Sequence, residues 1–265
     1  MIFNNCWKSL QRLKMALIEP GWTVADKVRA VSTTRAGGVS RGPWASFNLS
    51  FNCGDNSEHV AENHRRLADR LPAAPRWLRQ VHGAHLIHLD DWQPDVAADA
   101  AWTDRPGQVA AILTADCLPI LLARASGKPG APLVAAIHAG WRGLASSIVE
   151  HTVASLPAPA TDLVAWIGPG ISAACYEVGN EVRSAFVAMD PELEQAFPVN
   201  DRGRYQADLK AVARHQLQAA GVGRIHDAGL CTATDTDRFY SFRRASQSDA
   251  GLTGRQATLV WIDVN

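Results

Sequence analysis

Hydrophobic and polar positions along this chain follow two periods. Short β-branched or apolar runs bounded by Gly, Pro, Asn or Asp predict strands at Val28 to Thr33, Leu86 to Leu89, Val109 to Thr114, Leu133 to His138, Leu163 to Ile167 and Ala257 to Val264. Segments with apolar residues every three or four positions predict helices at Ser57 to Leu71, Leu144 to Leu156, Glu177 to Met189 and Asp208 to Ala220. Ser57 reads as the N-cap of the first helix, with acids in its first turn, and Gly221 as the stop of the last. Strands come in runs between helices instead of alternating strictly with them, which predicts an α+β class over a doubly wound parallel sheet. One segment breaks the pattern: LTADCLPILL, residues 113–122, is an apolar run with Asp116 and Cys117 inside it.

Composition narrows the classes. The 265 residues are enough to bury a sizeable core, and 47% hydrophobic content excludes a disordered chain. Lys+Arg and Asp+Glu are 26 each, so no net field draws the protein to nucleic acid or to an anionic membrane. No apolar stretch is long enough to span a bilayer. The start, MIFNNCWKSLQRLKMALIEPGW, has neither the apolar centre nor the cleavage site of a secretory signal. Residues 1–14 read as an extension before a natural start at Met15, and 15–265 as a single catalytic domain, because the Pro-rich breaks at 71–75, 127–132 and 156–160 are too short for linkers. Five cysteines, Cys6, Cys53, Cys117, Cys175 and Cys231, with no CxxC pair, suit a reducing compartment and a cytoplasmic protein.

Three segments each place a soft metal ligand between an apolar run and a Gly or Pro: His82 in RQVHGAHL, Cys117 in TADCLP and His138 in AAIHAGWRG. Two imidazoles and a thiolate suit zinc, and three protein ligands with an open fourth position are the catalytic arrangement. The gaps of 35 and 21 residues match no short metal signature. A packed core thiol and structural histidines therefore stay open as readings, with His85 and His88 as surface residues or substitute ligands. Asp116 must be paired, hydrogen-bonded or protonated in such a run. It reads as a ligand-orienting group, a general acid or base, or a cap. Arg35, Arg142, Arg243 and Arg244 punctuate Gly-rich or turn segments and suit bidentate binding of phosphate or carboxylate, or surface ion pairing. AGWRGLASSIVE reads as a loop feeding a helix N-terminus, a natural anion site. IGPGIS lacks the spacing of dinucleotide and P-loop motifs. Cys175, Cys53 and Cys231 read as packed thiols, Glu177 as a helix cap, Tyr176 as a pocket residue, and Trp141 as core or a purine-stacking ring.

TTRAGGVS…SFNLSFNCGDN, QVHGAHL, ADA, TADCLPILL, AAIHAGWRGLA, IGPGISAACYEVG and FYSFRR…TGRQA, in that order from about Val28 to Ile262, resemble the YfiH/laccase-domain family. Its members were once called polyphenol oxidases and are now described as purine nucleoside phosphorylases. The resemblance implies a single-domain α/β/β/α sandwich of mixed sheets and a zinc held by His82, Cys117 and His138. It implies phosphorolysis of adenosine, inosine and S-methyl-5′-thioadenosine, with adenosine deamination. Asp116, Cys117 and Arg142 are then the catalytic residues, and Arg35, Asn48, Arg243 and Arg244 bind substrate or phosphate. The partners are small purine nucleosides and phosphate, without nucleic acid or membrane, on a monomer or small homo-oligomer. RRASQSDAGLTGR departs from the family pattern by lacking an Asp after the Arg pair and by a longer loop at 245–252. Three rivals stand beside this reading: a cysteine or metal hydrolase of the amidase type acting on a peptidoglycan precursor with Cys117 and His138, a copper phenol oxidase, and a non-catalytic binding module.

Overall fold

The computed structural model describes residues 15–248 and 251–264. The extension expected at 1–14, with Cys6, lies outside the described residues. Two sheets form the centre. The smaller has the order β1 (Leu17–Ile18), β2 (Val28–Thr33), β12 (Gln256–Ile262) and β5 (Val109–Thr114), antiparallel throughout. The larger runs β11 (Arg224–Asp227), β8 (Leu163–Ile167), β6 (Leu118–Arg124), β7 (Val134–Ala139), β4 (Ala100–Thr103), β3 (Leu86–His88). Its outer pairs, β11 with β8 and β3 with β4, are parallel and its inner pairs antiparallel.

The period-two pattern explains the layering. In β7, Val134 and Ala136 face the smaller sheet, where Ala110, Ile112, Val260 and Ile262 meet them. Ala135, Ile137 and Ala139 face the opposite way, onto α2 (Trp141–Ala145), α3 (Ile148–Ser155), α4 (Asn180–Met189) and α5 (Leu209–Ala219). The far face of the smaller sheet, with Val31, Ala111 and Leu259, is covered by Phe47, Leu49 and Leu67 of α1 (Ser57–Ala68) and its approach. The order is the expected α/β/β/α sandwich, with the larger sheet mixed and the smaller one wholly antiparallel. A short hairpin of β9 (Glu177–Val178) with β10 (Tyr205–Gln206) and a last helix α6 (Phe242–Ser248) complete it. Among the described residues no helix is long and apolar enough to cross a membrane.

Local expectations need four corrections. Asn56, not Ser57, caps α1, its side-chain oxygen accepting from the backbone of Glu58 at 2.7 Å, and the helix ends at Ala68. The segment 144–156 is two helices, broken where Ser147 takes φ of 58°. Glu177 caps nothing: it lies in β9, and α4 starts at Asn180 behind Gly179. The run 113–122 is two strands in different sheets, β5 in the smaller and β6 in the larger, so Ala115–Cys117 is the crossing between layers.

Candidate functional site

The crossing delivers Cys117 to two histidines. His138 is the penultimate residue of β7, and His82 sits in a turn with φ of 59°. Their donor atoms and the Cys117 sulfur all lie within 4.8 Å of one another. The two rings meet edge to face at 4.7 Å. His138 is buried, Cys117 half-buried and His82 exposed, so the cluster opens to solvent on one side.

Asp99, fully buried in front of β4, holds this arrangement. One carboxylate oxygen accepts from His138 Nδ1 at 2.8 Å and from the His82 backbone N–H at 2.9 Å. The other accepts from the backbone of Gly83 at 2.8 Å and Val81 at 3.1 Å. A carboxylate on Nδ1 leaves Nε2 of His138 as the ligand atom, the usual support of a metal-bound histidine. Burial pushes the Cys117 thiol up, but His138 and His82 outweigh it and bring it to about 6. Burial pushes His138 down, and the Cys117 and Asp99 charges overcome this to raise it to about 9. Gly140 closes the back: a Cβ there would stand 2.8 Å from the Cys117 sulfur and 3.3 Å from His82 Cδ2. Soft donors, an oriented imidazole and a cradle without side-chain bulk together fit a metal ion. His85 bonds the Ala97 carbonyl and His88 lies between Asp90 and Asp104, both apart from the cluster.

Asp116, one residue before the sulfur, takes φ of 95° and turns its carboxylate the other way. It accepts from Thr232 Oγ1 at 2.6 Å, Ser241 Oγ at 3.0 Å and the Arg243 backbone N–H at 2.7 Å. Ser241 Oγ in turn accepts from Arg244 N at 3.2 Å. The buried acid therefore caps α6, where its charge complements the helix N-terminus.

The arginines follow from that cap. Arg243 donates to the Glu177 carbonyl at 2.8 Å and lies over the Tyr176 ring. Arg244 is held by the carbonyls of Thr232, Ala233 and Phe239. Arg35, anchored on the Ala45 and Thr236 carbonyls, shares a cavity of about 440 Å³ with Arg244, Ser241 and Thr253. Burial, and then the nearby Arg35 charge, lower Arg244. Two guanidiniums beside one cavity suit an anion, although Asp116 and Asp235 already offset part of the Arg244 charge. Tyr176 joins the halves. Burial raises its hydroxyl to about 12, with the Cys117 and Asp116 charges adding and those of Arg243 and Arg142 opposing. Arg142 is exposed on α2 and stacks on Trp141 at 4.3 Å. Asn48 sits outside this group, fully buried. Its amide nitrogen donates to Ser50, Cys53 and Asp55, and its oxygen accepts from Ser50 and Arg255, which leaves it a scaffold residue. A larger cavity of about 720 Å³ lies away from all these residues, between β2 and the end of α1.

A family model described as multi-copper polyphenol oxidoreductase laccase matches residues 29–263. The chain belongs to this family. It is 47% identical over 248 residues to a purine nucleoside phosphorylase of Pseudomonas aeruginosa, covering 93% of this chain and 98% of that one. It is 42% identical over 250 residues to the purine nucleoside phosphorylase YfiH of Escherichia coli, covering 93% and 98%. A crystal structure of a Neisseria meningitidis protein matches with a TM-score of 0.86 at 37% identity, covering 93% of this chain and 99% of that one. YlmD of Geobacillus stearothermophilus matches at 0.81 and 34%, covering 90% and 93%. The family's description names copper, while the site offers a single His, Cys, His set. Among the described residues the other group of possible ligands is Asp190, Glu192 and His215, where α5 meets the segment that follows α4.

Proposed function

We propose that the chain is a zinc-dependent purine nucleoside phosphorylase that cleaves adenosine, inosine and S-methyl-5′-thioadenosine with phosphate, and that it also deaminates adenosine. The observation that carries this reading is one dipeptide. Cys117 completes the His82, His138 donor set while Asp116 fastens the helix start that bears Arg243 and Arg244. A candidate metal locus and a candidate anion locus are thereby held side by side, an arrangement that supports a reaction between a nucleoside and phosphate.

His82, Cys117 and His138 would hold the zinc, with Asp99 orienting His138. Zinc supplies Lewis acidity at an open position, the chemistry that deamination at the purine C6 demands. Arg35 and Arg244 bind and neutralise phosphate, and their anchoring on carbonyls fixes the direction of attack on the anomeric carbon. Arg243 lies over the Tyr176 ring, and Tyr176 is influenced by Cys117 on one side and by Asp116, Arg243 and Arg142 on the other, so these residues would face a substrate that reaches both loci. Three donors already converge on Asp116, so we give it a positioning role through α6 in place of proton transfer to the leaving base. The relatives named as phosphorylases support the substrate class.

The test is incubation with adenosine, with and without phosphate, resolving adenine, inosine and ribose 1-phosphate. Adenine and ribose 1-phosphate formed only with phosphate are expected; no base release in phosphate overturns the proposal. A second reading rests on the same geometry. Cys117, His138 and Asp99 form a thiol, imidazole, carboxylate chain, the order of a cysteine nucleophile and its base. Stoichiometric zinc lost in Cys117→Ser favours the phosphorylase, whereas alkylation of metal-free, active protein favours an amidase-type hydrolase. A His, Cys, His set also suits copper. Copper in stoichiometric amount, with phenol oxidation, would identify that chemistry.

A further inference from the structure

Two thiols that the proposed reaction does not use meet beside this site. Cys231 bridges to Gly170 in a parallel pairing. Its sulfur accepts from the Ser172 backbone N–H at 3.3 Å and from the Ser172 hydroxyl at 3.1 Å. The Cys175 backbone N–H donates to the Ser172 carbonyl at 3.0 Å, which places its thiol where Ser172 and Cys231 act on it electrostatically. Both cysteines are half-buried, and Cys175 opens into a cavity of about 320 Å³ that it shares with Arg243, Arg244 and Glu177. Each stands next to a residue of the site. Cys175 precedes Tyr176, and Cys231 precedes Thr232, whose hydroxyl bonds Asp116 and whose carbonyl holds Arg244.

We propose that Cys231 and Cys175 are a reversible redox pair that closes to a disulfide when the protein meets hydrogen peroxide, tying the loop before Tyr176 to the loop that holds Arg244. The Cys231 thiolate attacks one peroxide oxygen. The O–O bond breaks, leaving Cys231 as a sulfenic acid, and the departing hydroxide takes a proton to become water. The Cys175 sulfur, giving up its proton, attacks the Cys231 sulfur and the S–O bond breaks, releasing the second water. Two thiols are oxidised by two electrons in total and one peroxide is reduced to two waters. A dithiol reductant reverses the bond by exchange. The order of attack follows from the surroundings. Burial pushes Cys231 up, but donation from Ser172 and Thr234 outweighs it and brings the thiol to about 7. Burial instead leaves Cys175 raised. The thiol with the larger thiolate fraction is the one peroxide oxidises, with its neighbour as the resolving thiol.

The test uses the full-length, zinc-loaded protein treated with a slight excess of hydrogen peroxide, digested without reductant and analysed by mass spectrometry. A linked Cys175–Cys231 peptide that disappears with dithiothreitol is expected. C175S should trap Cys231 as a dimedone adduct, and C231S should give neither the link nor an adduct at Cys175. Absence of the linked peptide from the unsubstituted protein after peroxide has been consumed overturns the proposal, as does a link through Cys117. Because the measurement is a cross-link, its outcome is independent of which substrate the site takes.

Discussion

Asp99→Asn tests the organisation of the metal locus most directly. Each Asp99 oxygen accepts two hydrogen bonds, His138 Nδ1 with His82 N on one and Gly83 N with Val81 N on the other. Asparagine keeps a single acceptor oxygen, and its amide NH2 then faces two donors. At about 1.5–3 kcal/mol for each hydrogen bond to a charged group, two losses amount to roughly 3–6 kcal/mol of stability. For a chain of this size that lowers the melting temperature by on the order of 10 °C. If the amide nitrogen faces His138, the imidazole must turn its lone pair to Nδ1, which places the proton on Nε2, the atom needed by the metal. Loss of such a supporting carboxylate weakens metal binding by roughly 10–100-fold. Zinc affinity from competition with a chromophoric chelator, read beside thermal melting of the metal-free protein, separates the two effects. Unchanged melting together with zinc affinity within about threefold of the parent would refute the account of Asp99, since that threshold lies well below the expected loss.

Gly140→Ala should force its new methyl against the Cys117 sulfur 2.8 Å away. Overpacking of about 1–3 kcal/mol, borne by the bound geometry, corresponds to a loss of roughly 5–150-fold in zinc affinity. Gly223→Ala, with open space around it, should change nothing in the same titration. Asp116→Asn should retain its contacts, because the Thr232 hydroxyl can accept from an amide as readily as it donates to a carboxylate. Base release and inosine formation are therefore expected to stay within about tenfold of the parent, about 1.4 kcal/mol, and selective loss of base release would return Asp116 to the chemistry. The pH dependence follows from two opposed shifts. His138, raised from 6.5 to about 9, contributes stability below 6.5 that is lost as pH climbs through about 9. Cys117, lowered from 9.0 to about 6, contributes stability above 9.0 that is lost as pH falls through about 6. Between about 6.5 and 9 the two slopes cancel, so the pair should give the stability of the metal-free protein no net pH dependence there, while its stabilisation persists as a plateau. Zinc needs a neutral imidazole. Its binding near neutral pH releases the His138 proton, and apparent affinity should rise about tenfold per pH unit. A flat affinity profile over that range would contradict the His138 assignment.

Much of the fold is legible because buried strands announce themselves. Val28–Thr33, Val109–Thr114 and Leu163–Ile167 end where their apolar runs end, with a core on both sides of each. The β4 strand, AAWT, escapes because alanine has little strand preference and its place is decided by pairing with β7. The sequence FRRASQS has no apolar period, and α6 depends on caps supplied by Ser241 and by Asp116 from far along the chain. The three donors can be picked out by residue type and by the turns that follow them. Asp99 enters only within the ADA segment of the resemblance, with nothing local to give it a role, because its partners come from residues 81–83 and 138. Cys231 and Cys175 are hidden for the same reason, since Ser172 and the Gly170 bridge bring them together.

Register explains why these groups share one end of the larger sheet. Leu118 opens β6 opposite Ala139, which closes β7, and Pro119 pairs with His138. Ala100 opens β4 opposite Ile137, which puts Asp99 beside His138. Ile120 pairs with Ile167, the last residue of β8, so the chain from Gly168 to Tyr176 leaves the sheet at the same edge. The crossing at Ala115–Cys117 arrives there from the other sheet, and its backbone is held by Ile171 donating to the Asp116 carbonyl at 2.9 Å. Antiparallel neighbours alternate starts with ends, so one end of the sheet collects the starts of β4 and β6, the ends of β7 and β8, and the loop between layers. Side chains alternate with the pleat, and a slip of one residue between β6 and β7 would turn His138 to the opposite face of the sheet. The chemistry of this end therefore depends on the same apolar pairings that hold the two sheets together, with Asp99 fastening the His82 turn to His138 and Asp116 fastening the start of α6.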